Sequence, residues 1–217
     1  MIRENFENNM QELENKLAEM VRITEEQLEC SYQALETQDI ELALKTIEKD
    51  NTIDDMEKEI NQMAIWFISK EQPLARDLRR IIGVLKISSD IERIADFAVN
   101  ISKATIKIGE RPSLLHMTKL EPMKTVSITM LQKSLKSFIE EDIALAKEVA
   151  DLDDLVDANS RANYQNLIQY LSEHPEDTAQ LVQLLFINRF LERTADHITN
   201  IAESTAYLIK GRMYDFN

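Results

Sequence analysis

The chain has 217 residues and a formal net charge of −14, from 39 acidic and 25 basic side chains. This charge repels nucleic-acid backbones and anionic lipid, so nucleic-acid binding is not expected. The single cysteine, Cys30, excludes an internal disulfide, and no apolar run has the length of a membrane span or the pattern of a signal peptide. We predict a cytoplasmic protein that does not insert into the membrane.

The first half of the sequence predicts three long helices. Glycine and proline are rare, with three and four residues, and residues that favour helices dominate. Apolar residues at helical spacing mark a first helix over residues 6–35. Asp39 is a candidate N-cap for a second helix that continues to about residue 70, and a third runs over residues 73–108, where Gly109 stops it.

The second half predicts three more helices. The apolar pattern marks a fourth helix over residues 120–138, a fifth over 143–171, and a sixth that begins near Pro175 and ends at Gly211. Long helices joined by short connections bury their apolar stripes most simply when neighbours lie antiparallel. The predicted fold class is therefore all-α, with six long antiparallel helices in two three-helix bundles.

A sequence repeat relates the two halves. Residues 92–101 return as residues 192–201, and six of the ten positions are identical, including the Glu, Arg, Asp and Asn. Most of these residues are not generic core residues, so helical periodicity alone does not explain them and a duplicated unit does. We predict two pseudo-symmetric domains, residues 1–109 and 110–217, joined by a linker at 109–117.

Each half carries two pairs of acidic residues spaced four apart, which places each pair on one face of a helix. An asparagine follows the second pair of each half four residues later, at Asn100 and Asn200. Glu57 aligns with Ser160, so the second half has one carboxylate fewer. The candidate site residues are Asp50, Asp54, Glu92 and Asp96 in the first half, and Asp153, Asp157, Glu192 and Asp196 in the second.

Carboxylates packed together near a core require positive charge. Metal ions are one source, and all-oxygen ligands favour Mg, Ca, Mn or Fe over Zn. Arginines are the other source, because Arg93 and Arg193 lie within the acidic motifs. A catalytic carboxylate dyad is a third interpretation, but no nucleophile or oxyanion donor accompanies the acids. The spacing leaves these alternatives open.

Three segments, 72–79, 85–96 and 191–203, carry a resemblance to a known family. With these motifs in this order, the whole chain resembles PhoU, the accessory regulator of bacterial high-affinity phosphate transport. The resemblance implies two similar three-helix bundles. It also implies metal binding, by iron or other ions in some members, at the eight acidic residues named above. The segment 72–79 has no counterpart before the sixth helix.

The resemblance also implies a function. PhoU-like proteins act as negative regulators of phosphate uptake and of the phosphate-starvation response. The expected role is an adaptor between the phosphate ABC transporter ATPase and a sensor histidine kinase, as a homodimer and without catalytic activity or an organic cofactor. The alternatives are a di-metal carboxylate enzyme or iron-binding bundle of ferritin type, which normally contains the absent Glu-x-x-His motif, and a plain helical scaffold. The apolar residues 63–68 are a candidate dimer or partner contact.

Overall fold

A computed structural model of the chain describes residues 2–109 and 112–212. The described residues form helices and contain no strand, which confirms the all-α fold class. Two short 3-10 helices lie in the connections, at Pro112–Met117 and Pro175–Asp177. The α-helices are α1 (Ile2–Thr37), α2 (Ile40–Glu48), α3 (Asp50–Glu71), α4 (Ala75–Ile108), α5 (Leu120–Glu140), α6 (Ile143–Glu173) and α7 (Thr178–Lys210).

The predicted second helix is in fact two helices, α2 and α3, which meet at Lys49. Lys49 keeps helical φ and ψ angles of −73° and −12°, and α3 begins without a side-chain N-cap. The sequence pattern did not reveal the break because buried residues continue across it at helical spacing, from Ala43 through Thr46 to Ile53. The corresponding helix of the second half, α6, is continuous.

Each half is a bundle of three rods. In the first, α1 and α4 run parallel, since Arg80 near the start of α4 pairs with Glu14 near the start of α1, with 2.7 Å between Nη2 and Oε1. The α2–α3 rod returns antiparallel between them. The second bundle has the same plan in α5, α6 and α7. The apolar residues that predicted the first helix are all buried: Phe6, Met10, Leu13, Leu17, Met20, Leu28 and Leu35.

The two bundles pack on each other mainly through α4 and α7, which run antiparallel. Arg79 Nε donates to the backbone oxygen of Leu208 at 3.4 Å, and further along the seam the rings of Phe97 and His197 lie 5.7 Å apart. The buried apolar side chains of both halves form one continuous core. The division into domains at residue 109 stays a prediction. Among the described helices, none combines the length and apolar character that crossing a bilayer requires.

The segment 72–79 makes the turn into α4. Two of its arginines, and Arg80 just after it, connect α4 to three other helices. Arg76 forms an ion pair with Glu141 at the α5–α6 corner, Arg79 contacts the last turn of α7, and Arg80 pairs with Glu14 of α1. Backbone strain accompanies this turn, because Gln72 and Ala75 have positive φ angles of 47° and 46°. The segment 72–79 therefore has a structural role in holding the start of α4.

Gly83 of α4 lies against the ring of Phe138 from α5. A Cβ atom at this position would lie 2.6 Å from Cε2 of Phe138, whose ring is fully buried. We expect Gly83→Ala to lower the free energy of unfolding by about 1–2 kcal/mol, because overpacking a rigid ring outweighs the gain of about 1 kcal/mol in helix propensity. Urea unfolding measures this difference.

The control is the double variant Gly83→Ala with Phe138→Leu, in which the clashing ring atoms are absent. It should have a higher free energy of unfolding than the Phe138→Leu single variant, because only the gain in helix propensity remains. A Gly83→Ala single variant more stable than the wild type would contradict the close approach of the Phe138 ring to Gly83.

Candidate functional site

The four acidic residues of the first half come together between α3 and α4. Asp50 is the first residue of α3 and Asp54 follows one turn later, while Glu92 and Asp96 lie on the facing side of α4. Burial raises the pKa of Asp50, and the charges of Asp96 and Asp54 raise it further. Burial also raises the pKa of Glu92, with added repulsion from Asp96. Glu57 extends this first acidic cluster, because its charge also acts on Glu92.

The four acidic residues of the second half form a matching cluster between α6 and α7. Asp153 is its most enclosed member, with 8% of the residue exposed. Burial, followed by repulsion from Asp196 and Asp157, raises the pKa of Asp153 to about 6. Burial likewise raises the pKa of Asp196. The charge of Arg193 lowers this pKa, and the charge of Glu192 raises it further. The helix-face spacing in the sequence thus places the acids of each half side by side, and their role as metal ligands stays a prediction.

Arginines neutralise part of this charge. Most of these contacts join residues three or four apart on one helix, and the arginines are exposed, so each pair contributes only about 0.3–0.5 kcal/mol. The closest is 2.7 Å, between Arg189 Nη1 and Glu192 Oε1. The ion pairs are Arg93 with Glu92 and Asp96, Arg161 with Asp157, Arg189 with Glu192, and Arg193 with Asp196.

The donor chemistry of both clusters fits a hard cation, because every candidate ligand is a carboxylate oxygen. Asp153 Oδ1 is also buried and poorly satisfied, because the Thr199 hydroxyl lowers the pKa of Asp153 by less than burial and the neighbouring acids raise it. Five of the eight carboxylates are paired with arginines, namely Glu92, Asp96, Asp157, Glu192 and Asp196. Within residues 2–109 and 112–212, no three Asp, Glu, His or Cys side chains converge closely enough to coordinate one ion. Coordination of a metal ion therefore requires the arginine-paired carboxylates to leave their guanidinium partners and turn toward the ion.

The two clusters differ where Glu57 aligns with Ser160. Ser160 Oγ donates to Glu192 Oε2 at 3.4 Å and accepts a hydrogen bond from Asn188 Nδ2 at 3.0 Å. Asn188 in turn accepts a hydrogen bond from Asn163 Nδ2 at 2.9 Å. A neutral hydrogen-bonded network thus replaces a carboxylate in the second half, so the two clusters have different ligand capacity.

His197 and Asn200 point away from the second cluster and toward the first bundle. Asp90 Oδ1 lies 2.8 Å from His197 Nδ1 and accepts a hydrogen bond from Asn200 Nδ2 at 3.2 Å. The four-residue spacing predicts Asn200 on the acidic face, whereas in the structure it contacts Asp90, which the spacing does not single out. The repeat contained a signal, because Asp90 aligns with Phe190 and so departs from the pattern of shared acids.

Comparison with known proteins identifies the family. The PhoU domain family model matches the chain twice, at residues 17–105 and 120–205, which are the two bundles with their acidic clusters. The chain belongs to the PhoU family.

Relatives and solved structures agree with this membership. The chain is 37% identical over 218 residues to the phosphate-specific transport system accessory protein PhoU homolog of Clostridium acetobutylicum, covering 100% of both chains. It is 36% identical to the Aquifex aeolicus homolog, covering 94% of this chain and 92% of that one. The crystal structure of PhoU from Pseudomonas aeruginosa superimposes with a TM-score of 0.86 at 30% identity, covering 95% and 100% of the chains. The phosphate transport system regulatory protein PhoU from Streptococcus pneumoniae superimposes with a TM-score of 0.89 at 28% identity, covering 97% and 99%.

The raised pKa of Asp153 makes the stability of the metal-free chain depend on pH. The folded state binds the proton of the Asp153 carboxyl more tightly than the unfolded state does. Protonation of Asp153 therefore stabilises the fold fully below pH 3.8, and this stabilisation is lost as pH rises through about 6. We expect Asp153→Asn to raise the free energy of unfolding at neutral pH by roughly 1–2 kcal/mol and to have little effect below pH 4. Urea unfolding across this pH range, in chelator, measures both values.

The matched control is Asp154→Asn, which removes an exposed charge from the next residue. The interpretation fails if the two variants have the same pH profile, or if Asp153→Asn is the less stable protein at neutral pH.

Proposed function

We propose that this PhoU-family protein is an accessory regulator of phosphate transport that restrains phosphate uptake and the phosphate-starvation response. The observation that carries the proposal is the match over the full length of both chains to the Clostridium acetobutylicum protein, whose name states an accessory role in phosphate-specific transport. The repeated acidic clusters and the α4–α7 seam lie inside the matched residues. The proposed role is regulatory and not catalytic.

The finer proposal is that the protein is an adaptor in the cytoplasm between the phosphate ABC transporter ATPase and a sensor histidine kinase. An adaptor needs two binding surfaces, and the chain exposes large apolar side chains on both bundles. On α3, Ile65 and Trp66 are 65% and 54% exposed, which we call the first apolar patch. On the second bundle, Tyr164 and Phe186 are exposed and line one groove, which we call the second apolar patch.

The adaptor proposal is tested by measuring binding of the chain to the purified transporter ATPase and to the cytoplasmic part of the kinase. Truncating a central aromatic residue typically weakens an interface at least tenfold, or by about 1.4 kcal/mol. We expect Trp66→Ala to weaken binding to one partner and Phe186→Ala to weaken binding to the other. Leu44→Ala, at an exposed leucine on α2 outside both patches, is the control.

Absence of binding to both partners by the wild type would overturn the adaptor role. Light scattering on the same samples tests the homodimer, which we also propose. A dimer that dissociates in the Trp66→Ala or Phe186→Ala variant would assign that patch to self-association. A monomer at all concentrations would contradict the dimer and leave both patches to other partners.

We further propose that the two acidic clusters bind hard or borderline cations, with Fe, Mn, Mg and Ca as the candidates and Zn as a less favoured one. The supporting observations are the all-oxygen donor set, the buried Asp153 Oδ1, and the burial and mutual repulsion that raise the pKa of four of the acids. A bound cation would supply the positive charge that the exposed arginines supply only weakly. The carboxylates would then hold α3 to α4 and α6 to α7.

Metal analysis of protein purified without chelator tests this proposal. The first cluster is removed by Asp54→Asn with Asp96→Asn, and the second by Asp157→Asn with Asp196→Asn. We expect each double variant to lose the metal of one cluster and keep that of the other. Asp55→Asn, which neutralises an exposed acid beside the first cluster, should keep the full content.

Metal at background level in the wild type would overturn the metal proposal and favour the scaffold in which arginines alone neutralise the acids. Partner binding measured on the same samples separates the two roles, since loss of metal with unchanged binding would make them independent. Consumption of dioxygen by iron-loaded protein would favour the ferritin-like alternative over the regulator.

A further inference from the structure

A groove of about 560 Å³ lies between α6 and α7, beside the second acidic cluster. Its volume is within the range of small-molecule sites. Two aromatic rings and two guanidinium groups line it, one of each from either helix. These four side chains are Arg161 and Tyr164 of α6, and Phe186 and Arg189 of α7.

The hydrogen bonds between α6 and α7 fix the register of the groove. Ser160 Oγ lies 3.4 Å from Glu192 Oε2. About one turn further along α6, Asn163 Nδ2 donates to Asn188 Oδ1 at 2.9 Å. The residue number on α7 falls as the number on α6 rises, so the two helices run antiparallel here.

The groove has two levels as a result of this register. Tyr164 lies across the groove from Phe186, which we call the aromatic level, and Arg161 lies across from Arg189, which we call the arginine level. On each helix the aromatic residue and the arginine are three positions apart. The two levels are therefore separated by about 4.5 Å along the helix axis.

Both rings of the aromatic level are accessible to a ligand, since Tyr164 and Phe186 are 58% and 50% exposed. Phe186 is also supported within its own helix, because its ring stacks on that of Phe190 with centroids 6.4 Å apart. Aromatic rings on two facing walls favour a flat ring between them, and nucleic-acid bases stack well on such rings because every base has a π face.

The arginine level can bind an anion without losing its present partners. Arg161 Nη1 lies 3.0 Å from Asp157 Oδ2, and both arginine side chains are more than half exposed. Arg189 Nη1 lies 2.7 Å from Glu192 Oε1. A guanidinium has five N–H donors, so each arginine retains donors for a second acceptor. Two guanidinium groups that face each other favour a shared dianion such as a phosphate group.

The first bundle shows that the fold does not require these four residues. The repeat relates Tyr164, Arg161, Phe186 and Arg189 to Asn61, Lys58, Lys86 and Ser89. Neither aromatic ring and neither guanidinium has a counterpart there. The two levels are thus a special feature of the second bundle, and the packing common to both bundles does not explain them.

We propose that this groove is a binding site for a flat aromatic molecule that carries a phosphate group, such as a purine mononucleotide. The ring lies between Tyr164 and Phe186, and the phosphate binds to Arg161 and Arg189. The lining contains two arginines and one carboxylate, so the groove is locally positive although the chain has a net charge of −14.

The aromatic level consists of the same two residues as the second apolar patch. A bound nucleotide therefore covers the surface that we propose above for a protein partner, and the two ligands compete. Nucleotide binding is measured on the chain alone and does not depend on the adaptor role, so the two proposals can fail separately.

AMP is the probe, and adenosine and inorganic phosphate represent its two parts. Calorimetry on the full chain is carried out in chelator, so that no metal ion can hold the nucleotide at the acidic cluster. We expect AMP to bind at millimolar concentration or below. Adenosine and phosphate should each bind at least about tenfold more weakly, because each occupies only one level.

Arg189→Ser copies the first bundle, so it should fold, and it should weaken AMP binding by at least about tenfold. Phe186→Leu keeps an apolar side chain but removes the ring, so it should weaken binding of AMP and adenosine and leave that of phosphate unchanged. The matched control is Arg193→Ser, which removes an arginine of the same helix that pairs with Asp196 and does not line the groove. This variant should bind AMP as the wild type does.

The proposal is overturned if AMP does not bind at millimolar concentration, or if Arg189→Ser and Arg193→Ser change AMP binding equally. Phosphate that binds as tightly as AMP would also overturn it, because the rings would then have no part in recognition. A crystal structure grown with AMP gives a direct view. A base between Tyr164 and Phe186 supports the site, whereas AMP bound elsewhere contradicts it.

Discussion

The packing of α4 against α7 is the contact on which the rest of the structure depends. Each of these helices is at once the third rod of its own bundle and half of the seam between bundles, so most of its circumference is buried. One side of α4 carries Glu92 and Asp96 toward α3, and α7 carries the equivalent acids toward α6. Because the seam fixes the rotation of both helices, it also fixes which face each acidic pair presents.

The acidic clusters are places where the chain gives up stability. Burial and mutual repulsion raise the pKa of these carboxyl groups, so keeping them ionised at neutral pH lowers the free energy of unfolding. The exposed arginines offset only part of this loss. Such local conflicts within an otherwise consistent fold are typical of functional positions. The buried amide of Gln27 on α1, which makes no hydrogen bond to a described residue, is a second local conflict.

Much of the fold could be predicted from the sequence, because the signals are local. Asp39 caps its helix as the pattern indicates, and the four-residue spacing of the acids brings them together. The break at Lys49 was not predictable, since the buried face continues through it. Contacts across the seam, such as Asp90 with His197, join residues more than a hundred positions apart and leave no periodic signal. Whether a carboxylate turns toward an arginine or an ion is a choice of rotamer, which spacing does not encode.

The seam also constrains how the two repeats can be arranged. Asp90 faces His197, and the positions related by the repeat are Phe190 and Phe97, whose rings stack with centroids 6.2 Å apart. One contact across the seam is polar and the contact related to it by the repeat is aromatic, so each half contributes one residue to each of two different contacts. Two copies of the first half would set Asp90 against a phenylalanine in both places. The two repeats are therefore not interchangeable at this seam.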